Sequence, residues 1–328
     1  SGKTELRQML TVETIQENRR QIEPQVRRFL GDSNSALVLD NAEWLMPLNY
    51  LEFLREVGRH FSVNRMLTAE AYRLRLEKGL SFIEFNYQIL QAYDFLVLFR
   101  RHGCRLQVGG DDQWGNILAG TDLIRRFHQV ETYALTFPLI TTASGTKMGK
   151  TAAGAIWLSA ERTSPFDFYQ YFINVDDRDV VRFLKLLTFM PMEEIARYAA
   201  LEGAELRAAK QALAFAVTEI VHGRAAAEQA QAATQAAFGG GGAGDLIPTY
   251  AVPSAQVAAG LKIVDLLHLS GLAVSKSAAR RLVEQGGVRL GERKVTSVDE
   301  QLTATDVASG GTLLHVGKKH LRRIVMGG

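Results

Sequence analysis

One stretch narrows the possible folds more than any other: Cys104-Arg105-Leu106-Gln107-Val108, followed by Gly109-Gly110-Asp111-Asp112-Gln113-Trp114-Gly115-Asn116. Residues of extended character run into paired glycines, and a helical pattern follows from about 116 to 127. A long helical pattern over 82–101 precedes the stretch and stops at Gly103, while 133–140 reads as a further extended segment. Helix, strand, helix and strand in alternation predict a parallel α/β sheet. Ligands of such sheets bind at the carboxyl ends of the strands, so 107–116 is the first place to look for chemistry. Its glycines allow a ligand close to the backbone, and Asp112 can accept hydrogen bonds from ribose hydroxyls.

The helix before that strand carries a second signal, Asn86-Tyr87-Gln88-Ile89-Leu90-Gln91-Ala92-Tyr93-Asp94-Phe95. At ~100° per residue, Gln91 lies about 40° and Asp94 about −20° from Tyr87. Tyr87, Gln91 and Asp94 therefore share a face with Ile83, Leu90 and Leu98. A carboxylate on such a face needs partners, because burying it unpaired is very costly. Two readings stay open: a hydrogen-bond network inside the core, or a pocket whose polar ligand brings a donor to Asp94.

Lysines supply the third signal. Lys147-Met148-Gly149-Lys150-Thr151 lies in a segment rich in Gly, Ser and Thr. Two lysines on a pliable loop can close on a polyphosphate and neutralise charge that develops in phosphoryl chemistry. Taken alone, such a pair is commonly just solvated. Two stretches also approach the phosphate-binding P-loop, G-x-x-x-x-G-K-[ST]. Ser1-Gly2-Lys3-Thr4 has only its last letters, and Gly145-Thr146-Lys147-Met148-Gly149-Lys150-Thr151 is one residue short between its glycines. Neither is a P-loop.

At 328 residues the chain has room for two or three domains. No apolar run reaches the ~18 residues of a membrane span, and the first residues lack the apolar core of a signal peptide. Cys104 is the one cysteine, which excludes an internal disulfide and a cysteine metal cluster, and no protein metal site is expected. These features favour the cytoplasm. Charge is uneven: 11 Lys/Arg stand against 6 Asp/Glu from Ala251 onward, whereas the preceding 250 residues carry 27 against 29. A basic C-terminal module on a nearly neutral body indicates a nucleic-acid partner, a solvated basic surface being the plainer alternative.

Along the rest of the chain, 14–30 reads as a helix with Thr14 and Glu17 spaced as a capping box. Residues 36–39 read as a buried strand, and 50–58 and 68–76 as helices. Residues 164–236 are almost continuously helical, and 239–242, four glycines, is the clearest linker. Beyond it come two short helices, 264–269 and 276–285, and three strands, 288–290, 294–296 and 312–316.

Taken together, these stretches resemble the bacterial tyrosyl-tRNA synthetases, which are class I aminoacyl-tRNA synthetases. NYQILQAYDF and QVGGDDQWGN are similar to the tyrosine enzymes specifically. KMGKT resembles the KMSKS signature loop of the class, with Gly149 and Thr151 as departures. The segment SKSAARRLVEQGGVRLGERKV resembles an S-four-like RNA-binding domain, in line with the basic charge. The resemblance runs the length of the chain and implies an α/β fold. A Rossmann-like nucleotide-binding domain with a dimer-interface insertion would occupy 1–160, a helical anticodon-side domain 161–237, a Gly-rich linker 238–258, and a small α+β RNA-binding domain 259–328. It also implies that SGKT belongs to a Gly-Asp-Pro-Ser-Gly-Lys segment. An upstream piece would then hold the His-x-Gly-His signature, a first strand and a tyrosine-binding Asp. None of the seven histidines here forms that signature, so the 328 residues alone are expected to activate tyrosine poorly.

The reaction implied by the resemblance is ATP-dependent activation of L-tyrosine to tyrosyl-adenylate and its transfer to tRNA(Tyr). Asp94 would receive the substrate phenol, Tyr87 and Gln91 its ammonium group, and Gln107 would line the tyrosine pocket. Gly109, Gly110, Asp112 and Gln113 would face the adenylate. Lys147, Lys150 and Thr151 would stabilise the departing pyrophosphate, helped by Mg²⁺ bound to ATP. Lys276, Arg280, Arg281, Arg289 and Lys318 would hold tRNA, and the segment 44–61 would contribute to a homodimer. A tryptophan-specific relative shares the fold and loop, but Asp94 and the basic C-terminal module count against it. A non-catalytic RNA-binding protein on the same scaffold is the alternative from another class.

Overall fold

The structure is a computed structural model that describes every residue except 1–9, 32–34, 69–71, 73–75, 77–78, 147, 152–153, 239–246, 308–309, 318–319 and 328. The chain divides into two units, Ser1–Ile140 and Thr141–Gly328.

In the first unit, α1 (Val12–Leu30) starts at Thr11, whose side chain accepts the Thr14 amide at 3.2 Å. The cap thus sits one turn earlier than the expected Thr14–Glu17 pair, and the Thr14 hydroxyl meets that of Thr11 instead. Short helices α2 (Ala42–Leu45), α3 (Tyr50–Glu56) and α4 (Val63–Leu67) follow. The expected helix at 68–76 falls largely outside the described residues. Residues 36–39 are not the expected buried strand. They run as irregular chain, with Leu37 63% and Leu39 40% exposed, because no strand pairs with them among the described residues.

Helix α5 (Phe82–His102) opens with a capping box of Ser81 and Glu84 and closes on Gly103 at φ 65°, a left-handed backbone that favours glycine. Gly103 and Cys104 donate their amides back to Phe99 and Leu98. The chain spends 103–105 on leaving the helix, so β1 (Leu106–Gly110) begins two residues later than expected. It pairs in parallel with β2 (Tyr133–Phe137) through the connecting helix α6 (Trp114–His128). This is the parallel unit that the alternation predicts.

Helices α5 and α6 pack closely because residue 120 has no side chain. A Cβ on Gly120 would lie 2.9 Å from Phe95 Cδ1 and 3.1 Å from Phe95 Cβ. Around this contact Ala92, Phe95, Leu96, Leu123 and Ile124 are almost completely buried, and Phe53, Val57, Met66 and Tyr72 extend the same core.

The second unit opens with a loop and the antiparallel pair β3 (Lys150–Thr151) and β4 (Gly154–Ala155). Five helices follow, α7 (Pro165–Ile173), α8 (Asp177–Leu187), α9 (Met192–Ala199), α10 (Leu206–His222) and α11 (Arg224–Phe238), as the helical run at 164–236 predicts. The expected linker at 238–258 is partly folded. Residues 239–242 lie outside the described residues, but β5 (Thr249–Pro253) and α12 (Ser254–Ala258) are regular elements. After them come α13 (Ile263–Leu269), α14 (Lys276–Glu284), β6 (Val288–Leu290), β7 (Arg293–Lys294), β8 (Thr312–Val316) and β9 (His320–Gly327). The strands form one sheet in the order β5-β9-β8-β6-β7. β7 ends at Lys294, short of the expected 294–296, although Val295 still donates its amide to Val288 O at 3.0 Å and buries its side chain in the core. Ile263, Leu266, Leu267, Ala279, Val288, Val295, Leu314 and Ile324 are fully buried there. No helix among the described residues is long and apolar enough to cross a membrane.

The α5–α6 contact yields a stability prediction. Gly120→Val must displace Phe95 or part the helices, and overpacking of this kind costs about 1–3 kcal/mol. Urea unfolding should show a lower midpoint at an unchanged slope. A midpoint equal to that of the parent would show slack between the helices.

Candidate active site

Asp94 is the most elaborately held group on the face of α5 that the sequence singles out. Its carboxylate accepts Trp44 Nε1 at 2.7 Å and Asn41 Nδ2 at 3.1 Å. Trp44, on α2, is buried against the core, and Asn41 is the residue at the start of that helix. The hydrogen-bond network is therefore real for Asp94. Burial pushes its pKa up, and the hydrogen bonds from Trp44 and then Asn41 pull it back. An ionised carboxylate offers roughly four acceptor positions, so two donors leave capacity for a ligand hydroxyl. The other end of the stripe is open: Tyr87 is 58% and Ile83 63% exposed. Gln91 and Leu90 lie between these extremes, half-buried. The stripe thus runs from a supported carboxylate to an accessible phenol ring rather than into the core.

The carboxyl end of β1 brings the second group together. Gln107 pairs in register with Ala134, and its Oε1 is buried with no hydrogen-bond partner among the described residues. A buried acceptor in that state calls for a donor. Side chains in place of the glycines that follow would crowd the ends of neighbouring side chains. A Cβ on Gly110 would lie 2.7 Å from Asp112 Oδ1, and one on Gly109 3.1 Å from Ile117 Cδ1. Exposed Asp112 accepts Gln113 Nε2 at 3.0 Å, and Gln113 Oε1 accepts Asn116 Nδ2 at 3.1 Å. This chain of contacts fixes the amides and leaves the second carboxylate oxygen of Asp112 free to accept. A cleft of about 210 Å³ beside α6, lined in part by His60, Arg65, Asp122 and Arg126, contains none of these groups. Among the described residues no set of three His, Cys, Asp or Glu side chains is placed to hold a metal ion.

In the second unit, Lys147 lies outside the described residues, and Lys150 and Thr151 form β3. The loop before them is braced at both ends. Ala143 donates its amide to Asp179 Oδ2 at 2.9 Å, and Gly149 donates its amide to Tyr171 Oη at 3.0 Å. Thr142 closes the base by donating its amide to Thr146 O at 2.8 Å. Gly149 has φ 81°, a conformation that L side chains rarely adopt. That geometry explains glycine at the position where the signature loop has serine. Sequence reasoning missed Asp179 and Tyr171, whose only signal is their place on helices that follow the loop.

The basic residues of the C-terminal module come from two elements. Helix α14 carries Lys276, Arg280 and Arg281, and β6 carries Arg289, all exposed. Lys276 pairs with Asp265 at 2.7 Å. Arg289 stands across from His315 on β8. Burial, and after it Arg289, push the His315 pKa down, so the positive charge here at neutral pH comes from lysine and arginine. Lys318 lies outside the described residues.

A parallel α/β unit with a polar site at its strand end, a braced lysine loop and a basic C-terminal module define a nucleotide-using enzyme with an RNA partner. The model of the family described as tRNA synthetases class I (W and Y) matches residues 1–239, and that of the S4 domain matches 261–307. The chain belongs to this class I synthetase family. Within it, the chain is 49% identical to tyrosine–tRNA ligases of Acetivibrio thermocellus, over 325 residues, and Clostridium tetani, over 327. Each match covers 99% of this chain and 80% of the relative. The fold is also similar to a C-terminally truncated mitochondrial tyrosyl-tRNA synthetase from Aspergillus nidulans, with a TM-score of 0.62 and 28% identity over 72% of each chain.

The Asp94 network makes a prediction about proton binding. Trp44→Phe removes the shorter donor, so the Asp94 pKa, already raised, should rise further in a carboxyl NMR titration. Loss of a donor to a buried acceptor costs about 1–3 kcal/mol. A carboxyl whose folded pKa is raised contributes stability below its unfolded value of about 3.9 and loses it as pH rises through the folded value. The variant's deficit should therefore be larger at neutral pH than below pH ~4. An unmoved pKa would mean that Trp44 does not support the charge.

Proposed function

We propose that this protein is a tyrosine–tRNA ligase whose phenol site is Asp94. The observation that carries the assignment is the carboxylate itself: half-buried, held by two neutral donors, and still able to accept. ATP and L-tyrosine react first. The tyrosine carboxylate attacks the α-phosphorus, the bond to the bridging oxygen of the β-phosphate breaks, and pyrophosphate leaves with its Mg²⁺. The terminal ribose hydroxyl of tRNA(Tyr) then attacks the tyrosyl carbonyl, gives up its proton, and AMP departs. No covalent enzyme intermediate is required, so positioning and charge stabilisation are the work of the protein.

The remaining groups fit that sequence of events. Tyr87 and Gln91, toward the open end of the stripe, receive the ammonium group. Gln107, with its unpaired oxygen, accepts a further donor in the tyrosine pocket. Gly109 and Gly110 form the strand end toward the adenylate, with Asp112 on its ribose and Gln113 at its aminoacyl end. Lys147, Lys150 and Thr151 neutralise the pyrophosphate as it leaves. Lys276, Arg280, Arg281, Arg289 and Lys318 contact tRNA phosphates. Met46, Tyr50 and Leu51 are 57–74% exposed, whereas Trp44, Phe53 and Val57 of the same segment are core. The exposed three are the apolar surface that a homodimer would cover. The reaction serves protein synthesis in the cytoplasm.

Tyrosine-dependent ATP–pyrophosphate exchange, run on a chain extended upstream to include the His-x-Gly-His segment, tests the reading. Asp94→Asn should lower the tyrosine-over-phenylalanine ratio of kcat/KM, since phenylalanine brings no donor to the acceptor capacity that Trp44 and Asn41 leave on the half-buried carboxylate. Tyrosine enzymes are themselves the standard example of this effect. An unchanged ratio would remove Asp94 from the phenol site. Intact tRNA binding without any exchange by the parent would make the protein an RNA binder instead.

A second prediction concerns the basic module. The triple variant Arg280→Ala, Arg281→Ala, Arg289→Ala should bind tRNA more weakly and with a shallower salt dependence, by about 0.7–0.9 in log–log slope per lost phosphate contact. Exchange should be unaffected. Equal affinity across a salt titration would place the tRNA contacts elsewhere.

A further inference from the structure

Arg322 on β9 makes a planar fork with Asp167 in the first turn of α7. Its Nη1 donates to Asp167 Oδ1 at 2.7 Å and its Nη2 to Oδ2 at 2.6 Å. Both partners are fixed from their own side. Arg322 Nε donates to Ser270 O, at the end of α13, at 3.3 Å. Asp167 Oδ2 accepts Ser164 Oγ at 2.6 Å, and the Asp167 amide returns to that hydroxyl at 3.1 Å, which caps α7. The side chains are 15% and 25% exposed, so water and salt screen this pair less than a surface pair. Beside it lies a small apolar joint, in which Phe166 of α7 and Ala233 of α11 pack with Ile247 and with Leu321 of β9. Among the described residues, the helical and C-terminal modules therefore meet through a few buried side chains and one bidentate ion pair. A few apolar contacts hold two bodies together but specify rotation weakly. A guanidinium fork, with both donors and both acceptors used, specifies it strongly.

We propose that the Arg322–Asp167 fork is a positioning device for tRNA, which docks the C-terminal module on the helical module before RNA arrives. The inference rests on the reading that the C-terminal module binds tRNA. A ligand that spans both modules binds only molecules whose modules are already aligned, or spends binding energy on aligning them. The apparent Kd is the intrinsic value divided by the docked fraction. A latch that keeps this fraction near one costs the tRNA nothing at binding. Loss of the fork should lower the fraction, and with it the affinity, without touching tyrosine activation.

The test uses the full-length protein with Arg322→Met, Asp167→Asn and both changes together. Methionine keeps the apolar stem of Arg322, and asparagine keeps an acceptor for Ser164. Spin labels at Glu205→Cys and Glu284→Cys, in a Cys104→Ser background, report the distance between the modules. The parent should give one narrow distribution and each variant a broad one. Each single change should raise the KM for tRNA by about three- to tenfold at an unchanged kcat. Exchange should stay the same, and the double variant should be no worse than the weaker single one. Narrow distributions in the variants would overturn the docking role. Broad distributions with unchanged tRNA affinity would overturn the positioning role. If the triple arginine variant also kept full affinity, the failure would lie with the tRNA reading of the module rather than with the latch.

Discussion

The close approach of α5 and α6 at Gly120 is the constraint on which the first unit depends. Ala92 and Phe95 of α5 lie against that glycine, and this fixes the rotation of α5 about its axis. Gln91 and Asp94 each precede one of those residues, so they point about 100° away from the contact. The same packing that buries Phe95 thereby aims Asp94. Sliding along the axis is checked separately, since Gln88 Nε2 donates to Gly115 O at 2.9 Å. Gly115 is in the first turn of α6, directly after the strand end. The polar stripe and the strand end are thus held relative to each other by one apolar contact and one hydrogen bond.

The choice of donors at Asp94 has an electrostatic logic. A lysine or arginine beside a half-buried carboxylate would neutralise it and claim its oxygens as an ion pair. An indole and an amide supply hydrogen bonds without net charge. They offset part of the burial penalty and leave a carboxylate that still prefers a further donor. A neutral hydroxyl is the donor such a site can select. Phenylalanine has no such group, and a cation would have to shed its hydration on the way in.

What could be read from the sequence divides along physical lines. The helix over 82–102 and the strand–glycine–helix stretch were legible because local chemistry decides them: a capping box at Ser81, a left-handed glycine at 103, and two glycines at which a side chain would crowd its neighbours. Residues 36–39 carry four apolar side chains that satisfy a strand pattern equally well, but pairing decides a strand, and no partner strand lies beside them among the described residues. β5 and β9 were missed for the converse reason. They pair with each other from opposite ends of the C-terminal module, register Thr249 with Arg323, and neither shows a clean alternation. Arg322 and Arg323 interrupt β9, and Pro253 ends β5. At the site, Tyr87, Gln91 and Asp94 share a face by periodicity alone. Trp44 and Asn41 reach Asp94 across 50 and 53 residues of chain, a distance that no local pattern spans.

The lysine loop shows how a signature can tolerate change. A loop that closes on a polyphosphate must be free in the middle and fixed at its ends, or its freedom is spent on geometries that never reach the ligand. Here the fixed ends are supplied from outside the signature. Asp179, 2% exposed, sits in the first turn of α8, where the positive end of the helix dipole favours a carboxylate, and it takes the Ala143 amide. Tyr171 takes the Gly149 amide from the helix before. The two tethers bracket Lys147 in sequence, and the second operates through a residue whose backbone only glycine adopts readily. Replacing the serine of the signature by glycine therefore exchanges a side-chain hydroxyl for a backbone position, one that Tyr171 can hold. Both lysines of the signature are kept, and the residue between them answers to the way this chain anchors its loop.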